Sequence, residues 1–129
     1  MNHLHRGFGI IFCSTEDRPG YEKEVDELYG LLQWLSFKTE RYYDCTAAQL
    51  EDKLHQISQL DHTDKDCLFV AFFSHGIEGQ FAVNGGMVHI AQQIDRFTGV
   101  NCPSLAGKPK IFYVMVSIKC ATCSEQQDK

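Results

Sequence analysis

The sequence predicts an α/β fold in which a mostly parallel sheet carries helices on both faces. Three observations point there. Cys67–Phe73 and Ile111–Val116 are apolar at every position, as strands covered on both faces must be. Between the strand-like runs lie segments whose apolar residues recur at helical spacing. The two kinds alternate along the chain, the order that gives parallel neighbours through crossover helices.

Each element has a local reason. Gly7–Cys13 is short, apolar and β-rich, so it reads as a first strand. Glu16-Asp17-Arg18-Pro19-Gly20 is a polar, turn-forming loop. Val25, Leu28, Leu31, Leu32 and Leu35 then fall on one stripe of a helix. Phe37–Tyr43 is a second strand with one exposed face. Thr46-Ala47-Ala48-Gln49 has a capping-box pattern and opens a helix carrying Ala47, Leu50, Leu54 and Ile57 on one side. Asp61–Asp66 is a polar loop, and Cys67–Phe73 a third strand. Phe81–Val88 reads as a small hairpin around Asn84-Gly85. His89–Phe97 is a third helix with Ile90, Ile94 and Phe97 on one face. Thr98–Pro109 is loop, and Lys110–Val116 the last strand.

Composition bounds the function. The chain has 129 residues, enough for one domain with a moderate core, and is 43% hydrophobic, which argues against disorder. Net charge is −5 with scattered Lys and Arg, against nucleic acid or an anionic membrane surface as the main partner. The apolar runs fall far short of a membrane span, and the N-terminus has no signal-peptide core. The six cysteines are read as free thiols of a reducing, cytoplasmic compartment, with Cys13 and Cys67 serving as small hydrophobes in strands. His3, His5, His55, His62 and His89 read as surface residues without metal-type clustering, so no metal or cofactor is expected.

Ligands in such sheets sit beyond the carboxyl ends of the strands, near the point where strand order reverses. Arg18 follows the first strand, Ser74-His75-Gly76 the third, and Ser117 the last. A neutral imidazole beside a nucleophile on the neighbouring strand can manage its proton, as a cysteine peptidase requires. A glycine next to the histidine lets a backbone N–H approach a developing oxyanion.

Arg18-x-Gly20, then Ser74-His75-Gly76, then Cys102-Pro103-Ser104-Leu105-x-Gly107-Lys108-Pro109-Lys110-Ile111-Phe112, in this order, resembles the large subunit of a caspase. The match covers roughly Arg6–Val114. The resemblance implies a caspase-like three-layer sandwich over residues 1–117, incomplete at one edge, followed by a polar tail over 118–129. It implies that His75 is the catalytic histidine and that Gly76 supplies the oxyanion N–H. It implies too that Arg18 grips the carboxylate of a substrate aspartate, a bidentate task suited to guanidinium.

The departures shape the functional expectation. Caspases continue the last strand into Gln-Ala-Cys-x-Gly. Counted from Lys108-Pro109-Lys110, those positions are Met115, Val116, Ser117, Ile118 and Lys119. Ser117 thus takes the nucleophile position and Met115 replaces the pocket glutamine. A hydroxyl is far less acidic than a thiol of pKa ~8.5, and serine hydrolases need a third group to orient the base. No such acid can be assigned. Cys120, three residues on, lies ~10 Å away along an extended chain. Cys120-x-x-Cys123 could be redox-active or half of a zinc site, and reads most simply as chance in a polar tail. No small subunit follows, so an uncovered last strand is expected to seek a partner. Two readings stay open. One is a caspase-like pseudoenzyme, decoy or modulator of apoptotic or immune proteolysis that binds another caspase chain, a small subunit or an apoptosis regulator. The other is a truncated or mis-spliced form of an Asp-specific cysteine endopeptidase.

Overall fold

A computed structural model of the chain describes residues 6–14, 22–77 and 80–118, with backbone alone at 75–77 and 115–118. The elements follow in the expected order: β1 (Gly7–Cys13), α1 (Glu22–Trp34), β2 (Phe37–Tyr43), α2 (Ala47–Ser58), β3 (Cys67–Ile77), β4 (Gln80–Val83), β5 (Gly86–His89), α3 (Ile90–Asp95), a short 3-10 turn (Pro103–Leu105) and β6 (Lys110–Ile118). β1 pairs in parallel with β2 on one side and with β3 on the other. β6 lies parallel to β3 on its far side. The parallel core therefore runs β2-β1-β3-β6, and the order reverses at β1, between the step out to β2 and the return to β3.

Period-two alternation sorts the core into two layers. Ile10 and Phe12 of β1 pack with Leu50, Leu54 and Ile57 of α2, and with Phe97 and Leu105. Ile11 and Cys13 face the other way, onto Val25 and Leu32 of α1. β3 divides likewise, Leu68, Val70 and Phe72 to the first layer and Ala71 and Phe73 to the second. Helix, sheet and helix thus make the three-layer sandwich. Gly7 is forced by closeness: a Cβ there would lie 1.9 Å from the Cys67 carbonyl oxygen.

Thr46 caps α2 as expected, and the box is reciprocal. The Gln49 N–H donates to Thr46 Oγ1 at 3.1 Å and the Thr46 N–H to Gln49 Oε1 at 3.0 Å. The hairpin turns at Asn84-Gly85, with Val83 opposite Gly86 and Gly85 at φ +81°, a region open to glycine.

Four expectations are corrected. Leu31 is 50% exposed and lies outside the buried stripe of α1, because among the described residues α1 is covered on the side toward the sheet. α3 stops at Asp95, short of Phe97, and its most buried residue is the polar Gln93. The Gln93 amide is satisfied by the Glu51 carboxylate and the His89 carbonyl, both at 3.3 Å. His62 is fully buried rather than superficial. Finally, β3 and β6 outrun their apolar stretches. Partners in β6 hold Ser74–Gly76 in the sheet and partners in β4 hold Gly76 and Ile77, and β6 continues to Ile118, one residue into the segment read as tail.

The two outer strands differ. β2 carries Lys38, Glu40 and Arg41, with Glu40 paired to Lys53 at 3.0 Å and Arg41 to Asp26 at 2.5 Å. Charge on an edge discourages pairing with another chain. β6 offers Ile111 and Tyr113 at 46% and 42% exposure, and among the described residues it pairs with β3 alone.

Candidate functional site

The candidate site forms where β3 extends beyond β1. The β1–β3 ladder ends at the Cys13–Phe73 pair, and the Ser14 N–H closes it on the Phe73 carbonyl at 2.9 Å. β3 runs on through Ser74, His75 and Gly76 with a strand on either side: β6 on one, and β4 on the other at Gly76 and Ile77. Buried Ser74 helps anchor this extension, its hydroxyl donating to the Ala82 carbonyl at 2.7 Å.

Register brings the predicted residues together. In the β3–β6 ladder His75 stands opposite Ser117, with Phe73 opposite Met115, Ser74 opposite Val116, and Gly76 opposite Ile118. Parallel neighbours lie about 4.8 Å apart. His75 and Ser117 therefore occupy one rung of two adjacent strands. Gly76 is the rung beyond, with Phe81 opposite on its other side. Arg18, Cys120 and Cys123 lie outside the described residues.

The described thiols near the strand ends are poor stand-ins for a nucleophile. Burial, reinforced by the carboxylates of Glu22, Asp44 and Glu24, pushes the Cys13 thiol up to about 12. Burial and then Asp44 raise Cys45, and burial raises Cys67. All three remain protonated at neutral pH, where attack needs a thiolate. Cys13 and Cys45 also line a crevice between β1, β2 and β4 whose interior of about 10 Å³ holds roughly one water, too little for a substrate side chain.

Sequence reasoning missed two buried polar groups, His62 and Gln93. Neither interrupts an apolar period in a telling way: His62 sits in a polar loop, and Gln93 between Ile90 and Ile94 reads as one solvent-facing residue. Among the described residues no three His, Cys, Asp or Glu side chains are gathered as a metal ion would require.

Comparison with known proteins agrees with this fold. A family model described as a caspase domain matches residues 8–128. Caspase-1 of Drosophila melanogaster is 35% identical over 121 residues, covering 88% of this chain and 38% of the relative. Caspase-8 of Rattus norvegicus is 37% identical over 130 residues, covering 88% of this chain and 27% of the relative. The crystal structure of caspase-1 from Spodoptera frugiperda superimposes with a TM-score of 0.85 at 32% identity, covering 89% of this chain and 49% of that one. The chain thus spans less than half the length of these relatives.

Proposed function

The chain belongs to the caspase family, and from that premise we propose that it acts in cytoplasmic apoptotic or immune proteolysis as a catalytically inert partner of an active caspase chain. The carrying observation is the rung that sets His75 opposite Ser117. The histidine, the adjoining glycine and the neighbouring strand are retained, while the position that needs a thiol carries a hydroxyl. An imidazole alone cannot make a serine hydroxyl a useful nucleophile at neutral pH, since it needs an orienting acid and a preorganised oxyanion site. Met115 stands where the resemblance implies a glutamine lining the pocket for an aspartate carboxylate, and a thioether cannot donate to that carboxylate.

Partner binding rests on the open edge. Ile111 and Tyr113 of β6 are half exposed, with no charged residue after Lys110 to blunt the described part of the strand. A strand from another caspase chain would pair with this edge through its backbone and cover both side chains. The free thiols of Cys13, Cys45, Cys67 and Cys102 fit a reducing compartment.

Co-purification tests the proposal. The chain, co-expressed with an active caspase, is expected to be retained with it and to alter its turnover of an Asp-containing peptide. The double variant Ile111→Glu/Tyr113→Glu is expected to lose at least tenfold in retention while keeping its helical circular dichroism. A soluble, folded chain that is never retained, or retention indifferent to both substitutions, would refute the proposal.

A further inference from the structure

The register that sets His75 opposite Ser117 needs an explanation that the apolar pattern does not supply. Both strands are apolar along most of their shared length, so a shift of two residues would still present apolar side chains to both layers. Something outside the ladder must select one alignment. We propose that Lys108 is that positioning residue: its ammonium clamps the entry of β6 to the entry of β3.

The contacts are specific. Lys108 Nζ donates to three backbone carbonyls, those of His62 at 2.7 Å, Thr63 at 3.1 Å and Lys65 at 2.7 Å. An ammonium has three donors, and all three are taken. The carbonyls belong to one turn, closed by the Lys65 N–H on the His62 carbonyl at 2.9 Å, immediately before β3 begins at Cys67. Lys108 itself precedes β6 by two residues, its own N–H held by the Leu105 carbonyl at 3.0 Å. A second tie runs alongside, the His62 N–H donating to Ser104 Oγ at 2.9 Å. Between clamp and ladder, the Leu68 N–H donates to the Pro109 carbonyl at 3.1 Å. Residues more than forty positions apart are thereby fixed before the first rung, Leu68 opposite Lys110. Seven residues further along β6, about 23 Å at 3.3 Å per residue, that alignment becomes His75 opposite Ser117. A polar clamp is suited to the task because charge-assisted bonds to fixed carbonyls are directional where apolar contact is not.

Lys110 provides the internal control. It has the same charge and sits two residues away, but its ammonium donates to the Lys108 carbonyl, within its own segment. Lys108→Met and Lys110→Met are therefore compared by nuclear magnetic resonance, reading interstrand contacts and amide exchange. Lys108→Met is expected to weaken or shift the β3–β6 contacts and to speed β6 exchange about tenfold, with β1–β2 and β1–β3 unchanged. Lys110→Met is expected to leave all three ladders intact. Equal loosening of every ladder in Lys108→Met, or equal effects of the two substitutions, would overturn the clamp. If Lys108→Met does not fold, the unsubstituted chain decides. Its Lys108 ammonium protons should then exchange with water at least tenfold more slowly than those of exposed Lys23; equal rates would overturn the clamp. None of these readouts involves peptidase activity or a partner, so failure of the clamp and failure of the proposed function are seen separately.

Discussion

In the proposed reading Ser117 stands where the family's cysteine would, and the two side chains differ by one atom. Sulfur gives a thiolate within reach of an imidazole; oxygen does not. Restoring the sulfur therefore isolates what the rest of the site retains. The Ser117→Cys chain is expected to react with iodoacetamide at residue 117, at pH 7, about tenfold faster than the same variant carrying His75→Ala, as read by site-resolved mass spectrometry. Equal rates would mean that a shared rung does not couple the two side chains. Cys13, held near 12, should remain unlabelled in both while the chain stays folded. His62 poses the opposite problem, a base shielded from its proton. Its Nε2–H donates to the Ile57 carbonyl at 2.8 Å, and its Nδ1 has no partner among the described residues. Burial lowers its pKa; Lys108 and Lys65 push the same way, while the Ile57 carbonyl and Asp61 oppose. The Phe8 ring packs edge-on against it at 5.4 Å. A histidine with a lowered folded pKa contributes its stability above the unfolded value, about 6.5, and loses it as pH falls below that. Thermal unfolding should occur at lower temperature at about pH 5 than at about pH 7.5, and His62→Gln, which can still donate to Ile57, should flatten the difference. An unchanged pH slope in His62→Gln would exclude this residue as the source.

Elements were legible where one physical rule acted alone. Gly7–Cys13 and Phe37–Tyr43 are found with the boundaries that β-rich runs and their turns predict. The start of α2 follows from the Thr46 pattern, and both reciprocal bonds are present. Removing that cap by Thr46→Ala should lower stability by about 1 kcal/mol in denaturant titration, mainly through the midpoint; no loss would mean that packing of Leu50 and Leu54 alone defines the helix start. Other features depended on tertiary partners and left no local trace. β3 continues through Ser-His-Gly because β6 supplies their rungs and β4 adds one at Gly76, whereas the apolar run alone ends at Phe73. Gln93 is buried because Glu51 of a different helix meets its amide. Leu31 follows the helical period yet stays exposed, since no described element covers that side of α1.

At the scale of the whole molecule, four parallel strands and their flanking helices bring a histidine, a glycine and a serine to one end of a sheet. That His75 and Ser117 follow two apolar strands at the same end of the sheet was legible from the order of the elements. The register that sets His75 opposite Ser117 was not, because an all-apolar pattern does not by itself distinguish a two-residue shift and the Lys108 contacts lie in loops. The same sheet is charged along β2, which discourages pairing there, while among the described residues β6 pairs with β3 alone. The proposed role, an inert chain that works through association, rests on the His75–Ser117 rung and on the exposed β6 residues. The most direct measurement of that claim is turnover of an Asp-containing fluorogenic peptide by the purified chain, alone and mixed with a caspase whose own nucleophile has been replaced. Release is expected to stay at the level of the His75→Ala chain in both conditions. Turnover above that level, lost on His75→Ala, would contradict the claim and make Ser117 a working nucleophile.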